Sequence, residues 1–128
     1  MKVETLIVDD DPIVCLIHKK LLSASGLAPD ARVFKNGLDA LNFLRESYTP
    51  EILYVILLDL NMPVMDGYEF LNEIKEVFPT NNIRVQVVSS SVCGEDRNQA
   101  LAFPHVCGFL EKPLNMARLT EPGIFPER

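Results

Sequence analysis

Asp59 closes the most apolar run of the chain, Ile52-Leu53-Tyr54-Val55-Ile56-Leu57-Leu58. A carboxylate set directly after such a run is costly unless charge meets it. Other apolar runs end in groups able to do so. Asp9-Asp10-Asp11 follow Leu6-Ile7-Val8, Ser89 follows Val87-Val88, and Lys112 comes shortly after Phe109-Leu110. If those runs are neighbouring parallel strands, their ends combine into one site of acids, hydroxyl and ammonium. Asp9, Asp10 and Asp59 in one cleft repel one another and demand a cation. A hard, all-oxygen site with few protein ligands and room for water favours Mg²⁺ over zinc or copper. Lys112 neutralises part of the cluster and can hold a phosphoryl oxygen. A single aspartate after a strand usually caps a helix, which is the role expected of Asp11 before Pro12. Folding alone does not ask for Asp10, Asp59, Ser89 and Lys112 at four strand ends.

Such a site presupposes a regular succession of elements. Val3 to Val8 reads as a strand buried on both faces. Pro12 suits the first turn of a helix, where its missing N–H is not needed. Ile13, Val14, Leu16, Ile17 and Leu21 continue at helical spacing until Gly26, a C-terminal stop. Ala31 to Phe34 is a weak second strand, and Asn36 caps a helix with Ala40, Leu41, Leu44 and Tyr48 on one face. Pro50 ends it ahead of the third strand, which runs to Leu58. Asp66 caps the next helix, Glu69 is placed for a capping box, and Phe70, Leu71, Ile74 and Phe78 form the inner face. Arg84 to Val88 is the fourth strand, Glu95 to Phe103 a short polar helix, and Val106 to Leu110 the fifth strand. A last helix begins near Leu114, and Pro122, Gly123 and Pro126 limit it to about two turns. Strands alternating with helices imply parallel pairing and right-handed crossovers, hence a three-layer α/β/α sandwich. In an open sheet of this kind ligands bind beyond the carboxyl ends of the strands, where the candidate residues stand.

Composition narrows the function classes. At 128 residues the chain is expected to form one domain over residues 1–128, with a core of about 3–119 and an irregular tail over 120–128. The net charge of −6 disfavours direct nucleic-acid binding and anionic membranes. Cys15, Cys93 and Cys107 lack Cys-x-x-Cys spacing, which argues against zinc or a disulfide framework. With no apolar segment near the ~20 residues of a membrane helix and no signal peptide, a cytoplasmic location is expected.

The segments Leu6-Ile7-Val8-Asp9-Asp10-Asp11-Pro12, Leu57-Leu58-Asp59-Leu60-Asn61-Met62-Pro63-Val64-Met65-Asp66-Gly67 and Lys112-Pro113 resemble the receiver domain of two-component response regulators. The gaps agree as well: 30 residues from Asp59 to Ser89 and 23 from Ser89 to Lys112. The resemblance implies a flavodoxin-like sheet of order 2-1-3-4-5. It makes Asp59 the phosphoacceptor, taking a phosphoryl group from a sensor histidine kinase or phosphotransfer protein. Asp10 and Asp59 would ligate Mg²⁺ directly, Asp9 mainly through water, and the Asn61 backbone carbonyl would add a ligand. Ser89 would bond the phosphate, Lys112 would pair with another of its oxygens, and Pro113 would follow a cis bond. Phosphorylation would draw Ser89 inward and turn the aromatic Phe109 on strand five into the vacated space; alternatively Phe109 is core in both states. The chain would catalyse only its own phosphoryl transfer and slow dephosphorylation, with a downstream protein partner as its output.

His18 and His105 are expected to be surface or structural residues, and Met62 and Met65 to pack over the site. Ser89 begins a run with Ser90 and Ser91; the 30-residue gap selects Ser89, and Ser91 at the mouth could tune phosphate lifetime. The stretch from Phe103 to Gly108 is about one residue longer than the resemblance leads one to expect. Three other readings compete. A haloacid-dehalogenase-like phosphatase would carry an acid where Asn61 stands, a flavodoxin-type flavin binder would not carry Asp9-Asp10-Asp11 after its first strand, and an unphosphorylated adaptor would not need the full set of acids, Ser89 and Lys112.

Overall fold

The seven residues of β3 (Ile52–Leu58) are buried almost without exception, which requires strands on both edges and helices on both faces. The computed structural model describes residues 2–28, 30–90, 94–112 and 114–119. Around β3 stand β1 (Lys2–Val8), β2 (Arg32–Phe34), β4 (Ile83–Ser89) and β5 (Val106–Glu111), in the order β2-β1-β3-β4-β5. Every pairing is parallel, with Val8 opposite Leu58 and Leu58 opposite Val87. The carboxyl ends of β1 and β3 are therefore level, and β4 runs two residues further, to Ser89.

The helices α1 (Pro12–Ser25) and α5 (Met116–Leu119) cover one face, and α2 (Gly37–Ser47), α3 (Gly67–Val77) and α4 (Gly94–Leu101) the other. The larger core joins Leu6, Val8, Ile56 and Leu58 to Leu41, Leu44, Phe70, Leu71 and Ile74. The smaller joins Ile7, Val55, Leu57 and Leu110 to Cys15, Leu22 and Leu119. This is the three-layer sandwich expected from the alternation of elements.

Local signals place the helix ends. Asp11 accepts the N–H groups of Ile13 and Val14, so this aspartate is a cap, as expected. Gly26 closes α1 at φ 74°, a left-handed position that suits glycine. The Asp66–Glu69 capping box is formed in both directions. The helix read over Glu95 to Phe103 instead starts at Gly94 and stops at Leu101, since a residue before Pro104 is disfavoured in helical conformation. The surplus residue before Gly108 is taken up in β5: Val85 pairs with Val106 but Gln86 with Gly108, leaving Cys107 exposed in a bulge.

One expectation needs correction. The apolar residues Ile13, Leu16 and Ile17 of α1 point to solvent, while Cys15, His18 and Leu22 are buried. The sheet takes the face on which a histidine stands among apolar residues, and the periodicity of aliphatic residues alone misses it. Of the two roles expected for the histidines, surface or structural, the structure selects the structural one: His18 and His105 are each 1% exposed. His105 Nε2 bonds the carbonyls of Phe78 and Pro79, tying the turn before β5 to the end of α3.

The loop after β3 is tightly constrained. A Cβ on Gly67 would stand 2.6 Å from the Asp59 carbonyl oxygen and 2.7 Å from Leu60 Cα, so only glycine lets α3 start this close to the strand end. Val64 lies at φ 70° between Pro63 and Met65, whose N–H donates to the Pro63 carbonyl at 2.8 Å in a γ-turn. A β-branched residue there is strained, and Val64 is 73% exposed, so little packing offsets the strain. Val64→Asn, which tolerates positive φ, is expected to stabilise the fold by about 1 kcal/mol. The urea midpoint should rise at unchanged slope; an unaltered or lower midpoint would refute the strain.

Candidate functional site

The backbone ladder aims the site residues before any side chain acts. The Asp59 N–H donates to the Val8 carbonyl at 2.9 Å, extending the β1–β3 pairing by one residue. The Asp9 N–H donates to the Phe34 carbonyl at 3.0 Å, and the Lys112 N–H to the Ser89 carbonyl at 2.8 Å. Acid, hydroxyl and lysine thus leave adjacent strands at the same edge.

Asp9, Asp10 and Asp59 each offer a carboxylate oxygen, and these lie within 4.8 Å of one another. Asp9 and Asp59 are buried and Asp10 is exposed. Lys112 Nζ stands 2.7 Å from Asp9 Oδ2 and 3.3 Å from Asp59 Oδ1. The other oxygen of Asp9 accepts the Asp11 N–H at 2.9 Å, so both of its oxygens are engaged. Asn61 is exposed, and its N–H reaches Asp59 Oδ1 at 3.5 Å. Beside the acids, a cavity of about 410 Å³ opens between α1 and β2, lined by Asp9, Asp10, Cys15, Leu16, Lys19 and Lys35.

Three carboxylates against one ammonium leave the cluster two charges negative. Burial raises the Asp59 pKa above the ordinary carboxylate value; Asp9 raises it further, while Lys112 and the Asn61 N–H oppose this. For Lys112 burial works toward a lower pKa, but its bonds to Asp9 and Asp59 outweigh burial and raise it, so it stays an ammonium. A small divalent cation fits this donor set: the ligands are hard oxygens, the charge deficit matches, and the site is open on one side. Burial, with Asp9, pushes the neighbouring Cys15 thiol up to about 11, and its S–H donates to the Asp9 carbonyl. This cysteine is a neutral packing group.

Ser89 is buried at the end of β4, whereas Ser90 faces solvent. Phe109 sits opposite Val87 on β5 and is 7% exposed, packed into the larger core. The aromatic whose inward turn the resemblance implies is thus already inside. Met62 and Met65 pack partly buried against that core. Pro113, Ser91, Cys93 and the tail over 120–128 lie outside the described residues. One contact escaped the sequence. The Leu114 N–H donates to His18 Nε2 at 3.3 Å, joining residues 96 apart that no local pattern connects.

The response regulator receiver domain family matches residues 5–122. The transcriptional regulatory protein ZraR of Salmonella typhimurium is 35% identical over 94% of this chain and 25% of its own length. The chain thus spans about a quarter of the length of the curated relatives it matches first. A two-component response regulator from Cytophaga hutchinsonii superposes with a TM-score of 0.83 at 28% identity, covering 93% of this chain and 92% of that one. A response regulator receiver protein from Dyadobacter fermentans gives 0.80 at 36% identity, with 91% of each chain covered. Among the described residues, no helix is long and apolar enough to cross a membrane.

Without a bound cation, an ionised Asp59 costs folding stability, because the folded protein holds its proton to higher pH than the unfolded chain does. The cost is absent below the ordinary carboxylate pKa of about 4 and full above the raised value. In metal-free buffer at pH 7, Asp59→Asn should therefore melt about 3 °C higher than the parent, corresponding to ~1 kcal/mol. The difference should vanish toward pH 4. Equal or lower melting of the variant at pH 7 would contradict the assignment of strain to this carboxylate. Lys112 keeps its 2.7 Å partner Asp9 in the variant.

Proposed function

The chain belongs to the response regulator receiver family, and from that premise we propose that Asp59 is its phosphoacceptor in a Mg²⁺-dependent transfer from a histidine-phosphorylated kinase or phosphotransfer protein. The observation that carries this reading is a buried Asp59 with a lysine ammonium at 3.3 Å and two further carboxylates around it.

An Asp59 carboxylate oxygen attacks the phosphorus of the donor phosphoimidazole. A P–O bond forms, the P–N bond breaks, and the imidazole nitrogen leaves with its electron pair and takes up a proton. Such transfers need mainly positioning and charge compensation. Asp10 and Asp59 would hold the cation directly, with Asp9, already bonded to Lys112 and to the Asp11 N–H, acting through water. The Asn61 carbonyl would add a ligand. When bound, Mg²⁺ would shield the entering phosphoryl oxygens from the carboxylates. Lys112 offers a phosphoryl oxygen the ammonium that now spans Asp9 and Asp59. Ser89, buried at the neighbouring strand end, supplies a hydroxyl to another oxygen.

The output follows from the same bonds. Drawing Ser89 toward a phosphorylated Asp59 pulls the end of β4 and biases two pre-existing conformations. Phe109 packs beside Val87, two residues before Ser89, and couples β5 to that movement. The surface so altered addresses a protein partner; the net charge of −6 speaks against nucleic acid as the direct target of this segment. Beyond its own phosphorylation and slow dephosphorylation the chain carries out no turnover.

Incubation with Mg²⁺ and acetyl phosphate, followed by intact mass measurement, tests this. The expected result is a gain of one phosphoryl group that hydroxylamine removes, lost on chelation and in Asp59→Asn. An unchanged mass, or equal labelling of Asp59→Asn, would overturn it.

A further inference from the structure

We propose that His18 is a positioning residue for the phosphoryl transfer, acting by anchoring the segment that carries Lys112; this rests on the reading of Asp59 given above. His18 stands on the inner face of α1, and its Nε2 faces the Leu114 N–H at 3.3 Å in a buried bond. Accepting an N–H requires the Nε2 lone pair, so the ring is neutral with its proton on Nδ1. Burial lowers the pKa of this imidazole, outweighing the opposing pull of Asp9, and Lys112 acts in the same direction as burial.

The segment after β5 is thus held from two sides. At Lys112 the backbone N–H is bound to the Ser89 carbonyl of β4 at 2.8 Å. At Leu114 it is bound to α1 through His18, with the Leu114 side chain packed among Cys15, Leu22 and Leu119. A lysine ammonium on a flexible four-carbon stem is only as well placed as the backbone that carries it. Lys112 must place one nitrogen 2.7 Å from Asp9 and 3.3 Å from Asp59 at once. With no acceptor at residue 18, the buried Leu114 N–H is orphaned, and the segment must shift to satisfy it. The ammonium then loses its place over the two carboxylates.

A role in packing alone makes a different prediction, because it does not depend on the acceptor atom. Full-length variants His18→Phe and His18→Gln separate the two. Phenylalanine keeps the volume without an acceptor, whereas the glutamine oxygen can take the Leu114 N–H. With acetyl phosphate and saturating Mg²⁺, His18→Phe should phosphorylate about tenfold more slowly at saturating donor, as expected when a catalytic group is displaced by a fraction of an ångström. His18→Gln should regain most of that loss. A parental rate in His18→Phe, or equal losses in both variants, would overturn the role. On the parent protein, nitrogen-detected NMR of the imidazole reads the tautomer whether or not the variants fold. An Nδ1–H ring with unprotonated Nε2 is expected, and an Nε2–H ring would overturn the proposal. If the parent accepts no phosphoryl group, the reading of Asp59 fails and this one with it; a normal rate in His18→Phe removes this one alone.

Discussion

Like charges forced together govern this structure. Asp9, Asp10 and Asp59 bring carboxylate oxygens within 4.8 Å of one another, and among the described residues the Lys112 ammonium is the one paired with Asp9 and Asp59. Burial of Asp59, and Asp9 beside it, raise its pKa, so the ionised cluster is unfavourable in the folded protein. It persists because the backbone that carries it is fixed by other interactions. β3 is buried on both faces, and the N–H groups of Asp59, Asp9 and Lys112 are each consumed by a neighbouring strand. The sheet imposes the convergence, and the chemistry follows from it.

The surroundings of the cluster show the same economy. Gly67 lets the first turn of α3 lie against the Asp59 carbonyl, and the γ-turn at Val64 brings the chain back within reach of that contact. The Asp66 capping box then fixes where α3 begins. On the far side, the segment between β5 and α5 is bound to β4 at one end and to α1 at the other. Lys112 thus extends from a held backbone, which suits a group proposed to meet a phosphoryl oxygen at a set distance.

Much of this was legible in the sequence, and the physical reason is burial. Parallel strands covered on both faces appear as unbroken apolar runs, so their polar ends could be located from Leu6-Ile7-Val8 and from Ile52 to Leu58 alone. Caps at Asp11, Asn36 and Asp66 use local hydrogen bonds, and local patterns reveal them. The strand order came from resemblance, since nothing in the apolar runs says which of them are neighbours. Helix α1 was harder. Its aliphatic stripe of Ile13, Leu16 and Ile17 faces solvent, and a polar residue, His18, is inside because a partner 96 residues away satisfies it. The bulge at Cys107 was visible only as a length surplus, because where a sheet absorbs an extra residue depends on the partner strand.

Thermal melting of the parent protein and of Asp10→Asn across a Mg²⁺ titration reads whether the three carboxylates bind a cation together, because the exposed Asp10 takes no part in the buried ion pairs with Lys112. The expected result is a saturable rise in the parent's melting temperature, as binding to the folded state alone requires, with little or no rise in Asp10→Asn. A parent indifferent to Mg²⁺, or a variant that responds equally, would contradict the view that these three carboxylates form one site built around a missing positive charge.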